Sequence, residues 1–226
     1  MNGILSEWFN EKMFGGTMSR RYMRRTAELP MPTIQELKAA RQAFVDHESR
    51  DLFYRVATEL VDLALRGATS LNVAESLAVL LQTWNIAYYR YRSFDNEHFL
   101  EIQRVVDAHL PVLGDFRMRS IDSYSARDEA IVREVFKAFE EVLGPVGAAK
   151  CLHLLAPRFF PLWDRAIAKA YGVPLRETGK NADRYCSFLL ITKEQIEAIG
   201  GEQAIGQLPL KAIDEYNYCR YTKGWI

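Results

Sequence analysis

The chain has no excess of either charge: 29 Lys and Arg balance 29 Asp and Glu across 226 residues. A protein whose whole surface coats nucleic acid is basic, so any phosphate contact must come from a local patch. Cysteine is scarce and odd in number. Cys151, Cys186 and Cys219 are widely spaced beside hydrophobic or aromatic residues, which excludes a disulfide framework and a zinc pattern. The expected compartment is therefore the cytoplasm. No segment holds the ~18 uninterrupted apolar residues of a membrane span, and residues 1–16 lack a basic start followed by an apolar run, so no membrane partner and no secretory leader are expected. His47, His98, His109 and His153 have no metal-ligand spacing, so neither a metal nor a cofactor is expected. There is no glycine-rich phosphate loop, because Gly200-Gly201 reads as a helix stop, and no serine sits in a nucleophile elbow. Internal repeats and low-complexity tracts are also missing.

What remains is a set of helices. Residues 1–32 read as a lead-in, with Trp8 and Phe9, then Gly15-Gly16, then Arg20, Arg21, Arg24 and Arg25. This is either a solvated helix face or an arm that touches phosphate or an acidic partner. Residues 33–226 read as one all-α domain. Thr33-Ile34-Gln35-Glu36 is a capping box that opens a helix to about His47. A second helix spans about 50–66, with Leu52, Phe53, Val56, Leu60 and Leu63 as its apolar face and Gly67 as its stop. A third starts at Asn72 and runs through Leu77, Leu80, Leu81 and Trp84 to about Tyr91. Asp95 caps a fourth, which stops at Pro111, and 112–124 reads as a loop. Ser125 caps a fifth, amphipathic helix that ends at Gly144. Later helices are expected over 182–191, 193–199 and 208–221, the last an amphipathic closing helix. Its Tyr, Lys and Arg residues are also of the kind that lines a nucleic-acid groove. No alternating stretch is long enough to propose a sheet, so the fold class is all-α.

The most informative stretch runs from Gly144 to Asp164. It reads as a tight glycine turn, a short helix, a proline-punctuated loop and an aspartate at the start of the next helix, with Gly172 as that helix's stop. A helix, a glycine turn and a second helix point backbone N–H groups at a phosphate without any side-chain charge. Gly144 supplies the turn, and Ala148 is small enough for close helix approach. Asp164 is a plausible carboxylate for chemistry and equally an ordinary N-cap.

These residues resemble the helix-hairpin-helix DNA glycosylase superfamily, whose members excise damaged or mispaired bases. The resemblance is concentrated in residues 143–172: Gly144, Ala148 and Asp164 fall at the family's spacing, and Phe160-Pro161-Leu162-Trp163-Asp164 is similar to the approach to the aspartate in adenine-type members. Upstream, Val79-Leu80-Leu81-Gln82-Thr83 looks like the helix whose glutamine fills the gap left by a flipped base. The resemblance implies catalysis by Asp164. It implies DNA contacts from Gly144, Val146, Gly147, Lys150, Gln82 and Asn85, with Trp84, Tyr88, Tyr89 and Trp163 as aromatic faces for a base. The chain departs from the family at several points. Val146 stands where bifunctional members carry a Schiff-base lysine, Ala78 where adenine-type enzymes carry a glutamate, and Val142 where the first hairpin glycine is usual. The four-cysteine iron–sulfur loop is absent. The activity implied is therefore monofunctional, aspartate-assisted hydrolysis without lyase chemistry. The alternative is a non-enzymatic helical protein that retains only the hairpin architecture and binds nucleic acid or another protein.

Overall fold

Thr33 opens the first described helix, α1 (Ile34–His47). Its hydroxyl accepts from Glu36 N–H at 3.2 Å, while Glu36 Oε2 accepts from Thr33 N–H at 2.9 Å. This reciprocal box satisfies two donors that a helix start otherwise leaves free. The computed structural model describes residues 30–206 and 208–226, so most of the 1–32 lead-in lies outside the described residues. Next come α2 (Asp51–Leu65) and α3 (Val73–Trp84), the latter opened by a second capping box between Asn72 and Glu75. Asn85 interrupts the helix expected to reach Tyr91. Its backbone, at φ −108° and ψ 25°, separates α3 from the single turn α4 (Ile86–Tyr89).

Two expectations for the middle of the chain are corrected. α5 (Asn96–Arg117) runs straight through Pro111, and 112–117 is helix where a loop was expected. Pro111 and Asp107 are both exposed, so the carbonyl that loses its N–H partner can turn to water. The turns beyond it bury Leu113 and Phe116, which offsets the lost bond. A 3₁₀ turn (Ile121–Ser123) follows. Then α6 (Glu129–Leu155) begins later than Ser125, because Ser125 N–H and hydroxyl donate to Asp128 Oδ2 at 2.9 and 3.0 Å and hold the chain in a turn.

α6 bends at Gly144, which adopts φ 69° and ψ 169°. Helical geometry resumes at Pro145, whose fixed φ and missing N–H suit a first helical position. The second arm, 145–155, is buried on almost every side, including Gly147, Ala148, Ala149, Cys151, Leu152, Leu154 and Leu155. It forms the middle of the core. After it come α7 (Arg165–Ala170), α8 (Ala182–Ile199), α9 (Gly201–Ile205) and α10 (Pro209–Asn217), and then a wide turn (Tyr218–Lys223). α8 is one helix where two were expected. It ends at Gly200 in the left-handed region.

All these elements belong to one compact unit, Pro32–Ile226, and there is no strand among the described residues. The fold is all-α. No described helix is long and apolar enough to cross a membrane. On α2 the buried residues are Tyr54, Ala57 and Val61, whereas Leu52, Phe53 and Val56 face outward. Of the face expected from the sequence, Leu60 and Leu63 are half-buried and the first turns face outward, with Tyr54, a ring with a hydroxyl, in the core position instead. α10 packs into the core as a closing helix, but it ends at Asn217 rather than 221, and every residue from Pro209 to Asn217 is buried, charged ones included.

Candidate functional site

At the Gly144 bend another segment lies against α6. Tyr88 on α4 donates its hydroxyl to Val142 C=O at 3.1 Å, and its Cε2 would stand 3.1 Å from a Cβ at position 144. One turn on, a Cβ at Gly147 would meet the Asn85 amide nitrogen at 3.0 Å. The two glycines therefore let the 85–88 segment lie directly on α6. Lys150, a turn further, donates its ammonium to Trp84 C=O and lies 5.2 Å from the centre of that ring. In this way Trp84, Asn85, Tyr88, Gly144, Gly147 and Lys150 come together. Gly144 and Gly147 are buried beneath the neighbours just named, and Val146 is half-buried. Gln82 is exposed and, two residues before Trp84, points to a different side of α3. Tyr89 turns its hydroxyl to His98 Nε2 at 3.0 Å. Trp163 is 2% exposed, edge-on to Phe136 and Tyr185, with Nε1 donating to Pro145 C=O at 3.0 Å. It is a core side chain with no free face for a base.

The route from this helix to Asp164 is pinned at each step. His153 Nδ1 donates to Phe160 C=O at 2.8 Å, Tyr185 donates to Pro161 C=O at 2.8 Å, and Ile121 N–H donates to Arg158 C=O at 2.8 Å. Because a carbonyl can only accept, His153 carries its proton on Nδ1, and Nε2 accepts from the Tyr54 hydroxyl at 2.9 Å. Burial keeps this imidazole neutral and lowers its pKa to about 4. Asp164, half-buried, caps α7: Oδ1 accepts from Ile167 N–H at 2.8 Å, and Oδ2 accepts from the Thr222 hydroxyl at 2.6 Å. Gly172, at φ 66°, closes α7 as expected.

Beside these residues lies a set of charges that sequence reasoning passed over. Lys211, Asp214 and Glu215 share one face of α10, and Asp51 begins α2. Lys211 Nζ is 3.3 Å from Asp51 Oδ1, 3.6 Å from Asp214 Oδ2 and 3.8 Å from Glu215 Oε1. The same ammonium lies 4.4 Å from the ring centres of both Phe44 and Tyr54. Arg41 pairs with Glu215 from the far side. Glu48, Arg50 and Tyr218 close another edge. Arg50 donates to both Glu48 oxygens, at 2.8 and 2.7 Å, and this pairing holds the Glu48 carboxyl down to about 2.

Burial pushes the Asp214 carboxyl up to about 6, an effect that the charge of Asp164 reinforces and those of Lys211 and Lys150 oppose. Burial likewise raises Glu215 to about 7, against the pull of Lys211 and Arg41. Lys150 keeps some contact with solvent, yet its ammonium is surrounded by protein and lowered to about 8, with Asp214 and Asp164 opposing the drop. Burial thus shifts all three groups toward their uncharged forms, and the charges of Lys211, Asp214 and Asp164 act on this same neighbourhood. Asp51 Oδ1, Asn85 Nδ2, Lys211 Nζ and Glu215 Oε2 are buried there without a well-formed hydrogen bond. Such a cluster can hold or pass a proton beside a carboxylate. Among the described residues no group of His, Cys, Asp and Glu is arranged to hold a metal ion.

From the sequence, these three residues, Lys211, Asp214 and Glu215, are simply the polar part of the amphipathic closing helix expected over 208–221. The available signal was the apolar wrapping by Leu210, Ala212, Ile213 and Tyr216, which leaves no solvated face opposite. No protein-family model, curated protein or solved structure matches this chain.

Proposed function

We propose that the chain is a monofunctional, glycosylase-type hydrolase that removes a damaged or mispaired base from DNA, with Asp164 as its catalytic carboxylate. The observation that carries this reading is the half-buried carboxylate of Asp164 at the start of α7, in the chain stretch that follows the bent helix arm whose Lys150 lies against Trp84. Breaking an N-glycosidic bond builds positive charge on the sugar and negative charge on the departing base. The Asp164 carboxylate opposes the first or draws a proton from water. The Lys150 ammonium, held against Trp84, is the nearby cation that would answer the second. Water supplies hydroxyl to the sugar carbon and a proton to the base, so nothing else is consumed. The half-exposed Trp84 and Tyr88 rings offer the base an aromatic wall.

Asp164→Asn tests the reading, because asparagine caps a helix about as well as aspartate does. Base release from a panel of damaged duplexes should fall by about a hundredfold or more, while the unfolding temperature and duplex affinity stay unchanged. Undiminished release by Asp164→Asn would remove the catalytic assignment.

A second reading has its own observations. Both Asp164 oxygens are already used by Ile167 and Thr222, and Leu52, Phe53 and Val56 form an exposed apolar face on α2. Both suit a helical protein that binds nucleic acid or protein without chemistry. Wild-type binding with no base release from any duplex would select it.

A further inference from the structure

Gly144 and Gly147 lie beneath Tyr88 and Asn85, so a phosphate partner must find most of its counter-charge elsewhere. The chain as a whole is neutral, which makes any local surplus of cations informative. Arg165, Arg176, Lys180 and Arg184 surround an open hollow of about 750 Å³ whose only lining carboxylate is Glu177. Glu177 is taken by Lys180 at 2.6 Å. Arg165, Arg176 and Arg184 have no carboxylate partner among the described residues, whereas Arg41, Arg50, Arg117, Arg119 and Arg158 each hold one.

The hollow is also built rather than incidental. Asn181 and Glu140 are both completely buried beneath it. Asn181 Oδ1 accepts from Arg176 N–H at 2.6 Å, and its Nδ2 donates to Arg176 C=O, Glu177 C=O and the Glu140 carboxylate. This clamp fixes the loop between α7 and α8 before any ligand arrives, so little ordering cost remains on binding. Arg184 adds a bond from its guanidinium to Lys180 C=O at 3.3 Å. Arg165 on the rim is the first residue of α7, next in the chain to its cap Asp164.

We propose that this hollow binds consecutive phosphates of a nucleic-acid backbone and lays the strand past Asp164. Three guanidiniums without a carboxylate partner among the described residues, spread around an open rim, suit a linear polyanion better than an enclosed small phosphate. The choice of nucleic acid as the polyanion rests on the functional reading above; the charge and the clamp do not.

The test is fluorescence anisotropy of the full chain with a short labelled duplex across a range of salt concentrations. Three forms are compared: wild type, the triple variant Arg165→Ala/Arg176→Ala/Arg184→Ala, and Arg104→Ala as an exposed control on α5. The triple variant should bind about tenfold more weakly or worse. Its slope of log affinity against log salt should be shallower by about 2 to 3, with unchanged thermal unfolding. The control should match wild type, and replacement of the three arginines by lysine should restore the slope. An unchanged affinity and slope in the triple variant would overturn the proposal. Tripolyphosphate binding as tightly as duplex at equal salt would overturn it in favour of a small phosphorylated ligand. An acidic peptide binding more tightly than duplex would overturn it in favour of a protein partner. The two proposals fail separately. Weakened binding in the triple variant with no base release by wild type leaves the hollow and removes the chemistry. Asp164-dependent release with an unaffected triple variant does the reverse.

Discussion

Asp214 brings a carboxylate into the buried helix face whose Lys211 lies over Tyr54, where its charged form loses water it cannot fully replace. Its pKa in the folded chain is therefore raised from 3.8 to about 6. A raised acid binds its proton more tightly when folded, so its contribution to stability is complete below about pH 3.8 and lost as pH rises through about 6. Asp214→Asn removes that titration. The variant's unfolding temperature should gain on wild type by a few degrees, on the order of 1–3 kcal/mol, as pH rises from about 4 to about 7. Thermal unfolding across pH checks this, and parallel curves for the two proteins would contradict it. His153 has the opposite sign. Its pKa is lowered to about 4, so its contribution is present above its ordinary value and fades as pH falls through about 4. Neither shift was legible in the sequence, because desolvation is set by what packs around a residue and not by its neighbours in the chain.

At the scale of elements, the bend of α6 decides where the 85–88 segment can lie. Gly144 occupies a backbone region, φ 69° with ψ 169°, that is essentially closed to residues with a Cβ. A Cβ there would also press on the Tyr88 ring at 3.1 Å. Gly144→Ala should lower stability by roughly 1–3 kcal/mol, read as a lower urea midpoint with an unchanged slope. A variant as stable as wild type would show that the bend is not held by that contact. The glycine bend, the short helix, the Asp164 cap and the Gly172 stop were legible because each is a local signal with a local cause. Pro111 misled because burial of Leu113 and Phe116 carries α5 past it, a cause that lies in tertiary packing. The outward face of α2 misled for a related reason: Leu52, Phe53 and Val56 have helical spacing, but Tyr54 and Val61 have the core.

The whole molecule keeps its charges balanced while distributing them unevenly. Carboxylates and two lysines are concentrated between α10, α2 and α6, and arginines with no carboxylate partner among the described residues surround the hollow between α7 and α8. Net charge cannot reveal such an arrangement, so the neutral total in the sequence concealed both features. Of the site expected from the sequence, Trp84, Asn85, Tyr88, Gly144, Gly147 and Lys150 meet at the bend, and Asp164 shares its field with Lys150. Gln82 and Trp163 do not join them, since one is turned outward and the other is sealed in the core. Lys211, Asp214 and Glu215 complete the neighbourhood from 47 or more residues beyond Asp164, out of the reach of any local motif. The most direct measurement is base release by the wild-type chain from duplexes carrying a range of damaged and mispaired bases, with borohydride present in a parallel arm. The account predicts free base, an intact abasic strand and no borohydride-trapped adduct. Absence of base release from every duplex by folded, DNA-binding protein, or an adduct trapped on Lys150, would contradict it.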